Sequence, residues 1–377
     1  MRERISVTLM LMVAMMLCFC GCGEQKDDIA VKDVKVYTTV TPGGQFPDRL
    51  EIELTKDCIE DVSHSDFEMK GKASSWLDSQ KHDFTATFSA AKVEGNKLIL
   101  TFDGFQDKYF FVDSWVVSNS KNTELSFSSE QVSEVITPVA DEFVYHSTKE
   151  GEAFDYQLYT PADTSRPLPI VVVFHGYGDT HNLRAYRTSV AWAEPEAQSK
   201  RPCYVLSPII GDDKYFEGKE REKVFESVHQ KLQEMIDAGQ VDRNRVYMMG
   251  NSFGGMSTVE YMEQYPDTIA GALALCSALN YSETAKEKLG VLKDSAIWIA
   301  QAENDGTIPS ENSKIMYEEL IKTGNNKVKM TIYSDDEMNR VGASPDNDST
   351  FSYHHVEMAV MEDENYAQWL FNQTLKW

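Results

Sequence analysis

The stretch Val246-Tyr247-Met248-Met249-Gly250-Asn251-Ser252-Phe253-Gly254-Gly255 decides how the rest of this chain is read. A short apolar run leads into a G-x-S-x-G pentapeptide, and Met256 to Tyr265 follows with a helical pattern. Strand, tight turn and helix is the context of a nucleophile elbow, which presents a serine hydroxyl at the carboxyl end of a strand. Glycines at 250 and 254 let the backbone turn sharply and the helix approach the strand, since neither carries a Cβ. On this reading Ser252 is a nucleophile. The Phe253 N–H, at a helix N-terminus, is a donor for an oxyanion.

Outward from the elbow, strand and helix patterns alternate. Leu168 to Phe174 is a continuous run rich in β-branched residues, as suits a parallel strand buried on both faces. Further buried strands are expected at Tyr204 to Ile210, Leu273 to Ala278, Ile297 to Ala300 and Val328 to Tyr333. Helices are expected at Glu222 to Ala238, Asn312 to Thr323 and Asn365 to Leu375. Phe143 to His146 reads as a first strand, with Phe154 to Tyr159 as its hairpin partner. Such alternation predicts an α/β domain, a mostly parallel sheet covered by helices on both faces. Its active site should lie outside the carboxyl ends of the strands.

A serine nucleophile needs a base, and the base needs an acid to orient it. In this kind of fold the chain order is Ser, then Asp or Glu, then His. After Ser252 the only histidines are His354 and His355. The acid expected is Asp305, in the turn Glu303-Asn304-Asp305-Gly306 after a late strand; Glu303, Asp335 and Asp336 are rivals. An aspartate in such a turn can also simply bond its own backbone. The second oxyanion donor is expected from the Tyr177 N–H in His175-Gly176-Tyr177, with His175 supporting that loop. His354 is the expected base and His355 the alternate, because neighbouring side chains of an extended segment point apart.

These pieces resemble the α/β-hydrolase superfamily. More narrowly, the resemblance is to secreted bacterial esterases and predicted peptidases near the feruloyl-esterase and polyhydroxybutyrate-depolymerase group. The matching stretches are His175-Gly176, Asp242 through Gly255, Tyr265-Pro266-Asp267, Asp305 to Pro309 and Trp369-Leu370-Phe371. The register of that pattern, counted back from Trp369, also favours His354. One departure is that Glu357 and Met358 stand where relatives carry a tryptophan, three residues after the histidine. Another is a long polar stretch from Asp335 to Ser352, expected to be a loop. The resemblance implies a serine hydrolase that cleaves carboxylic esters through an acyl-enzyme. A peptidase on the same residues is the alternative, and a non-catalytic envelope binding protein is a third reading. No metal or cofactor is expected.

The first 138 residues read differently. Arg2 and Arg4 precede an apolar stretch, Ile5 to Phe19, which has the form of a secretory signal. Gly21-Cys22 resembles the lipobox of bacterial lipoproteins, so Cys22 is the expected lipidated residue. Cys20, after bulky Phe19, fits less well, and an ordinary secretory signal is the alternative. The divisions expected are a signal over 1–22, a tether over 23–32, a β-sandwich over 33–138 and the catalytic domain over 139–377. The sandwich rests on alternating strands at Val34 to Tyr37, Leu50 to Leu54, Asp83 to Phe88, Lys97 to Phe102 and Tyr109 to Val117. It is similar to the immunoglobulin-like domain that precedes some of these esterases. His64, His82 and His146 are expected to be structural or surface residues.

Composition excludes some partners. Lys and Arg number 36 against 60 Asp and Glu, a formal charge of -24, so nucleic acid is an unfit partner. Cys58, Cys203 and Cys276 have no C-x-x-C spacing, which argues against zinc or a disulfide framework. Cys203 and Cys276 read as small buried residues. The expected partners are an ester substrate, either an acylated cell-wall polysaccharide or a small ester, and the membrane through the lipid anchor alone. The expected location is extracytoplasmic.

Overall fold

Alternation builds the first part of the molecule. In β1 (Val31–Thr41) the side chains of Val34, Val36 and Thr38 are buried, while Lys35 and Tyr37 between them are only partly so and Thr39 is exposed. Successive side chains of a strand point to opposite faces, so this pattern leaves one face for a core. β2 (Gly44–Leu54) returns antiparallel with Thr41 opposite Gly44. β3 (Phe67–Ser75), β4 (Asp78–Ala86), β5 (Phe88–Glu94), β6 (Lys97–Phe102), β7 (Phe111–Asn119), β8 (Phe127–Ser128) and β9 (Val132–Ile136) complete two sheets. Their orders are β5-β6-β2-β1-β9 and β4-β3-β7-β8. Leu50, Ile52, Leu98 and Leu100 of one sheet share a core with Phe67, Met69, Phe84 and Val117 of the other. The run expected from Asp83 to Phe88 divides after Ala86. Phe84 and Phe88 both stay buried, but the chain passes from one sheet to the other between them. Strands that switch sheets make the corners of a sandwich.

The computed structural model describes residues 29–41, 44–57, 62–75, 78–102, 111–177, 186–211, 217–279, 283–343 and 353–376. Cys20, Cys22 and Cys58 lie outside them. No helix among the described residues is long and apolar enough to cross a membrane.

The second part is an eight-stranded sheet, ordered β10-β11-β13-β12-β14-β15-β16-β17. Its strands are β10 (Val144–His146), β11 (Tyr156–Tyr159), β12 (Leu168–Phe174), β13 (Tyr204–Pro208), β14 (Val241–Asn251), β15 (Gly271–Leu275), β16 (Ile297–Ala302) and β17 (Lys329–Tyr333). β10 and β11 form the expected hairpin, and every pairing from β13 to β17 is parallel. All seven residues of β12 are buried because both faces are covered. Ile170, Val172 and Phe174 enter one core with α3 (Gly218–Asp237), α4 (Phe253–Gln264) and α6 (Ser310–Lys322). Val171 and Val173 enter the other with α1 (Arg187–Ala193), α8 (Glu357–Glu362) and α9 (Glu364–Phe371). A fully buried aliphatic side chain contributes about 1.5–3 kcal/mol, so these two layers hold the sheet.

Five helices among the described residues escape the sequence pattern: α1 and α8, of seven and six residues, and α2 (Pro195–Lys200), α5 (Glu283–Lys288) and α7 (Asp335–Arg340), each of six. The last corrects the loop expected from Asp335 to Ser352. Ser334 and Glu337 form a capping box, with the Glu337 carboxylate accepting from Ser334 N at 2.9 Å. That box satisfies the first amide groups of the helix and starts it. Residues 344–352 lie outside the described part.

Candidate active site

The elbow forms where β14 meets α4. Ser252 has φ 56° and ψ -119°, a conformation that L side chains rarely adopt. Such strain costs about 1–3 kcal/mol and persists only where the surroundings impose it. Here they do so by hydrogen bonds: Ser252 N donates to Leu275 O at 3.0 Å, and Ala278 N donates to Ser252 O at 3.1 Å. The glycines supply close approach, and the left-handed residue is the serine itself. A Cβ on Gly254 would overlap the Phe174 carbonyl, and one on Gly250 would strike the Gly254 carbonyl. Asn251 beside the serine is buried and accepts a hydrogen bond from the Tyr186 hydroxyl.

Asp305 follows β16 and has a completely buried side chain. Its Oδ1 accepts from Thr307 N at 2.8 Å and Ile308 N at 2.9 Å. Its Oδ2 accepts from Gln301 Nε2 at 2.8 Å. His354 Nδ1 lies 3.0 Å from Oδ1 and 2.8 Å from Oδ2. The turn that bonds its own backbone and the acid that holds a histidine are therefore the same residue. Glu303 is exposed, Asp335 is bonded to Asn304 at 2.9 Å, and Asp336 is exposed at the start of α7.

His354 is 7% exposed and follows Tyr353, which has φ 59°. His355 is directed elsewhere: its Nδ1 lies 2.9 Å from Glu357 Oε1, and its side chain is 39% exposed. The two rings have centroids 6.3 Å apart.

Tyr177 lies after β12 and Phe253 opens α4; their rings pack with centroids 5.7 Å apart, and Tyr177 is 47% exposed. The first amide groups of a helix have no intrahelical acceptor and carry its positive dipole end, which suits Phe253 N–H to an anion. His175 is buried; Ile210 N donates to its Nε2 at 3.0 Å, so Nδ1 carries the proton and donates to Gly176 O at 2.7 Å. The ring thereby ties the loop after β12 to the loop after β13. His146 stacks on Tyr156 at 4.6 Å, and His64 is exposed.

Three site residues have no motif to announce them. Gln301 is buried in β16, where Ser313 Oγ donates to its Oε1 at 2.9 Å and fixes its amide toward Asp305. Cys276 directly follows β15, with its thiol 3.5 Å from His354 O and facing the Ser252 backbone. Burial, and then the charges of Asp305 and Glu357, push its thiol well above the ordinary range, so it stays protonated. Glu357 is the third. The only sequence signal for Cys276 is its place at the carboxyl end of a buried strand. The donor atoms of Cys276, Asp305 and His354 lie within 4.8 Å of one another. A protonated thiol and an aspartate already engaged by four donors suit a hydrogen-bonded cluster better than a metal site.

Residues 160–344 match the family model described as phospholipase/carboxylesterase. Comparison with curated proteins gives no match. Among solved structures, a thermostable esterase is 23% identical with a TM-score of 0.70, over 91% of this chain and 100% of that one. It shares the fold, including the sheets that precede the hydrolase sheet. Est1E from Butyrivibrio proteoclasticus is 15% identical with a TM-score of 0.42, over 61% of this chain and 98% of that one, a likeness too loose to argue from. The stretch that holds Ser252 and Asp305 is thus similar to the phospholipase/carboxylesterase family, and the chain has the α/β-hydrolase fold with a β-sandwich region before it.

Proposed function

We propose that the protein is a serine esterase whose nucleophile is Ser252, with His354 as base, Asp305 as the acid that orients it, and the Phe253 and Tyr177 N–H groups as oxyanion donors. The observation that carries this reading is the buried His354–Asp305 pair at 2.8 Å beside a strained serine elbow. Ser252 Oγ attacks an ester carbonyl while His354 takes its proton, and the alcohol leaves with that proton. Water, deprotonated by the same imidazole, then releases the acyl group. Asp305 holds His354 in the tautomer with the proton on Nδ1, leaving Nε2 to act as base. All five groups are the chain's own, and the proposed chemistry draws on these alone.

On this reading its kinship is with esterases of the feruloyl-esterase and polyhydroxybutyrate-depolymerase kind, acting on an acylated cell-wall polysaccharide or a small ester. The reading is tested with a fluorophosphonate probe and with Ser252→Ala on p-nitrophenyl acetate. The expected outcome is labelling of the wild type alone and loss of turnover, with a residue of rate from the oxyanion donors. Near-normal turnover in folded Ser252→Ala would remove Ser252 from this role. We propose further that the protein is extracytoplasmic and held at the membrane through a lipidated Cys22. A fatty-acid analogue should label the wild type and not Cys22→Ser; absence of label from both would overturn the anchor. A diacylglycerol supplies two chains, which stable anchoring requires.

A further inference from the structure

Glu357 is a buried carboxylate that the proposed reaction does not use. It opens α8, is 4% exposed, and makes a single hydrogen bond, from His355 Nδ1 to its Oε1 at 2.9 Å. Its Oε2 is buried with no hydrogen-bond partner among the described residues. An unpaired buried carboxylate oxygen is costly, and the structure offers one nearby compensation, a second proton on the imidazole of His355. The charge of Glu357 also bears on Cys276, whose thiol lies against the His354 carbonyl. The ring of His355 has its centroid 6.3 Å from that of His354, so the pair that His355 forms with Glu357 stands next to the His354 imidazole.

The other charged groups on the packed elements are engaged or exposed. Asp305 is saturated, as described above. On α7, Asp335 is bonded to Asn304, Glu337 closes the Ser334 cap, and Asp336 and Arg340 are exposed. Among the described residues, the charge that can change the surroundings of His354 is thus that of the His355–Glu357 pair.

We propose that Glu357 is a positioning residue for the hydrolytic reaction: it clamps His355 beside His354 and holds a buried carboxylate in that pair, so that the His355–Glu357 pair sets how readily His354 takes up a proton. The inference rests on the reading of Ser252, His354 and Asp305 as the catalytic groups. A carboxylate near an imidazole favours its charged form, and a second imidazolium opposes it. The two members of the pair therefore act with opposite sign, which no merely structural role would produce.

The test is the pH profile of kcat/KM on p-nitrophenyl acetate for the wild type, Glu357→Gln and His355→Asn. Glutamine keeps the acceptor for His355 Nδ1 and removes the charge; asparagine keeps a donor to Glu357 and removes the imidazole. The acidic limb should move to lower pH in Glu357→Gln and to higher pH in His355→Asn, each by about half a pH unit. Shifts of the same sign in both, or none in either, would overturn the proposal. Should Glu357→Gln not fold, His355→Asn decides alone: an acidic limb at or below that of the wild type sinks it. Ser252→Ala is measured alongside, since turnover retained there would remove the catalytic reading on which the inference stands rather than the inference itself.

Discussion

His354 and His355 are neighbours in the chain and each is paired with a carboxylate, yet the two pairs are built for different things. Asp305 is fully buried and accepts from two backbone amides, one side-chain amide and His354. Glu357 is as deeply buried, but among the described residues it accepts from His355 alone and has one oxygen with no partner. His354 is nearly enclosed, whereas His355 is 39% exposed in its side chain. Burial and a nearby carboxylate therefore do not by themselves identify a catalytic histidine. What separates the pairs is how completely the acid is held. A carboxylate held by four donors cannot move or protonate without breaking several bonds, and so fixes its partner's ring and tautomer.

The most severe test of that contrast is to remove each imidazole and the saturated acid in turn. His354→Ala and Asp305→Asn should each lower kcat on p-nitrophenyl acetate by about 10²–10⁴-fold. His355→Ala should cost less than about tenfold, because its contribution is exerted through His354. A collapse in His355→Ala beside near-normal turnover in His354→Ala would exchange the two assignments.

A smaller effect tests the cage itself. Gln301→Leu removes one donor from Asp305 and strands Ser313 Oγ and Ile308 O, both of which the glutamine engages. Stability should fall by about 1–3 kcal/mol in urea unfolding, the usual cost of unsatisfied buried polar groups. The kcat should fall by about tenfold, less than for Asp305→Asn, because His354 and two amides still hold the carboxylate. An unchanged kcat would mean that backbone donors suffice and that the side-chain donor serves the fold alone.

The smallest expected effect concerns a carboxylate with neither role. Glu263 on α4 is pushed up to about 7, by burial first, against the attraction of Lys288. Folding thus favours its neutral form. That contribution is full below the ordinary carboxylate range and is lost as pH rises through 7. Glu263→Gln should therefore raise Tm by about 1–3 °C at pH 8 and leave it unchanged at pH 4. Equal Tm values at both pH values would show that water reaches the carboxyl group.

Much of this arrangement is legible in the amino-acid sequence. The elbow announces itself because its tight backbone geometry demands small residues at fixed spacing around Ser252, and spacing is visible in a sequence. The strands at Leu168–Phe174 and Lys97–Phe102 have the bounds that their apolar patterns predict, since burial on two faces or one writes itself as continuity or alternation. Asp305 is legible from a turn after a strand, and His354 from being one of two histidines left. The short helices α1, α2, α5, α7 and α8 are not legible, because six or seven residues are too few to show a helical period.

The amino-acid sequence alone dictates the order of the elements, the elbow and the short roster of titratable groups that could serve it. Local patterns carry those properties, because propensity and periodicity act over a few residues. Tertiary packing selects the histidine that meets Asp305. It also brings Gln301, Cys276 and Glu357 to the site from β16, the end of β15 and the start of α8. The contacts of Asp305 with His354 and of Cys276 with His354 join residues 49 and 78 positions apart in the chain, and each depends on strand register and sheet order. Register turns a side chain toward one face or the other, and no residue in the sequence states which neighbour it will find there.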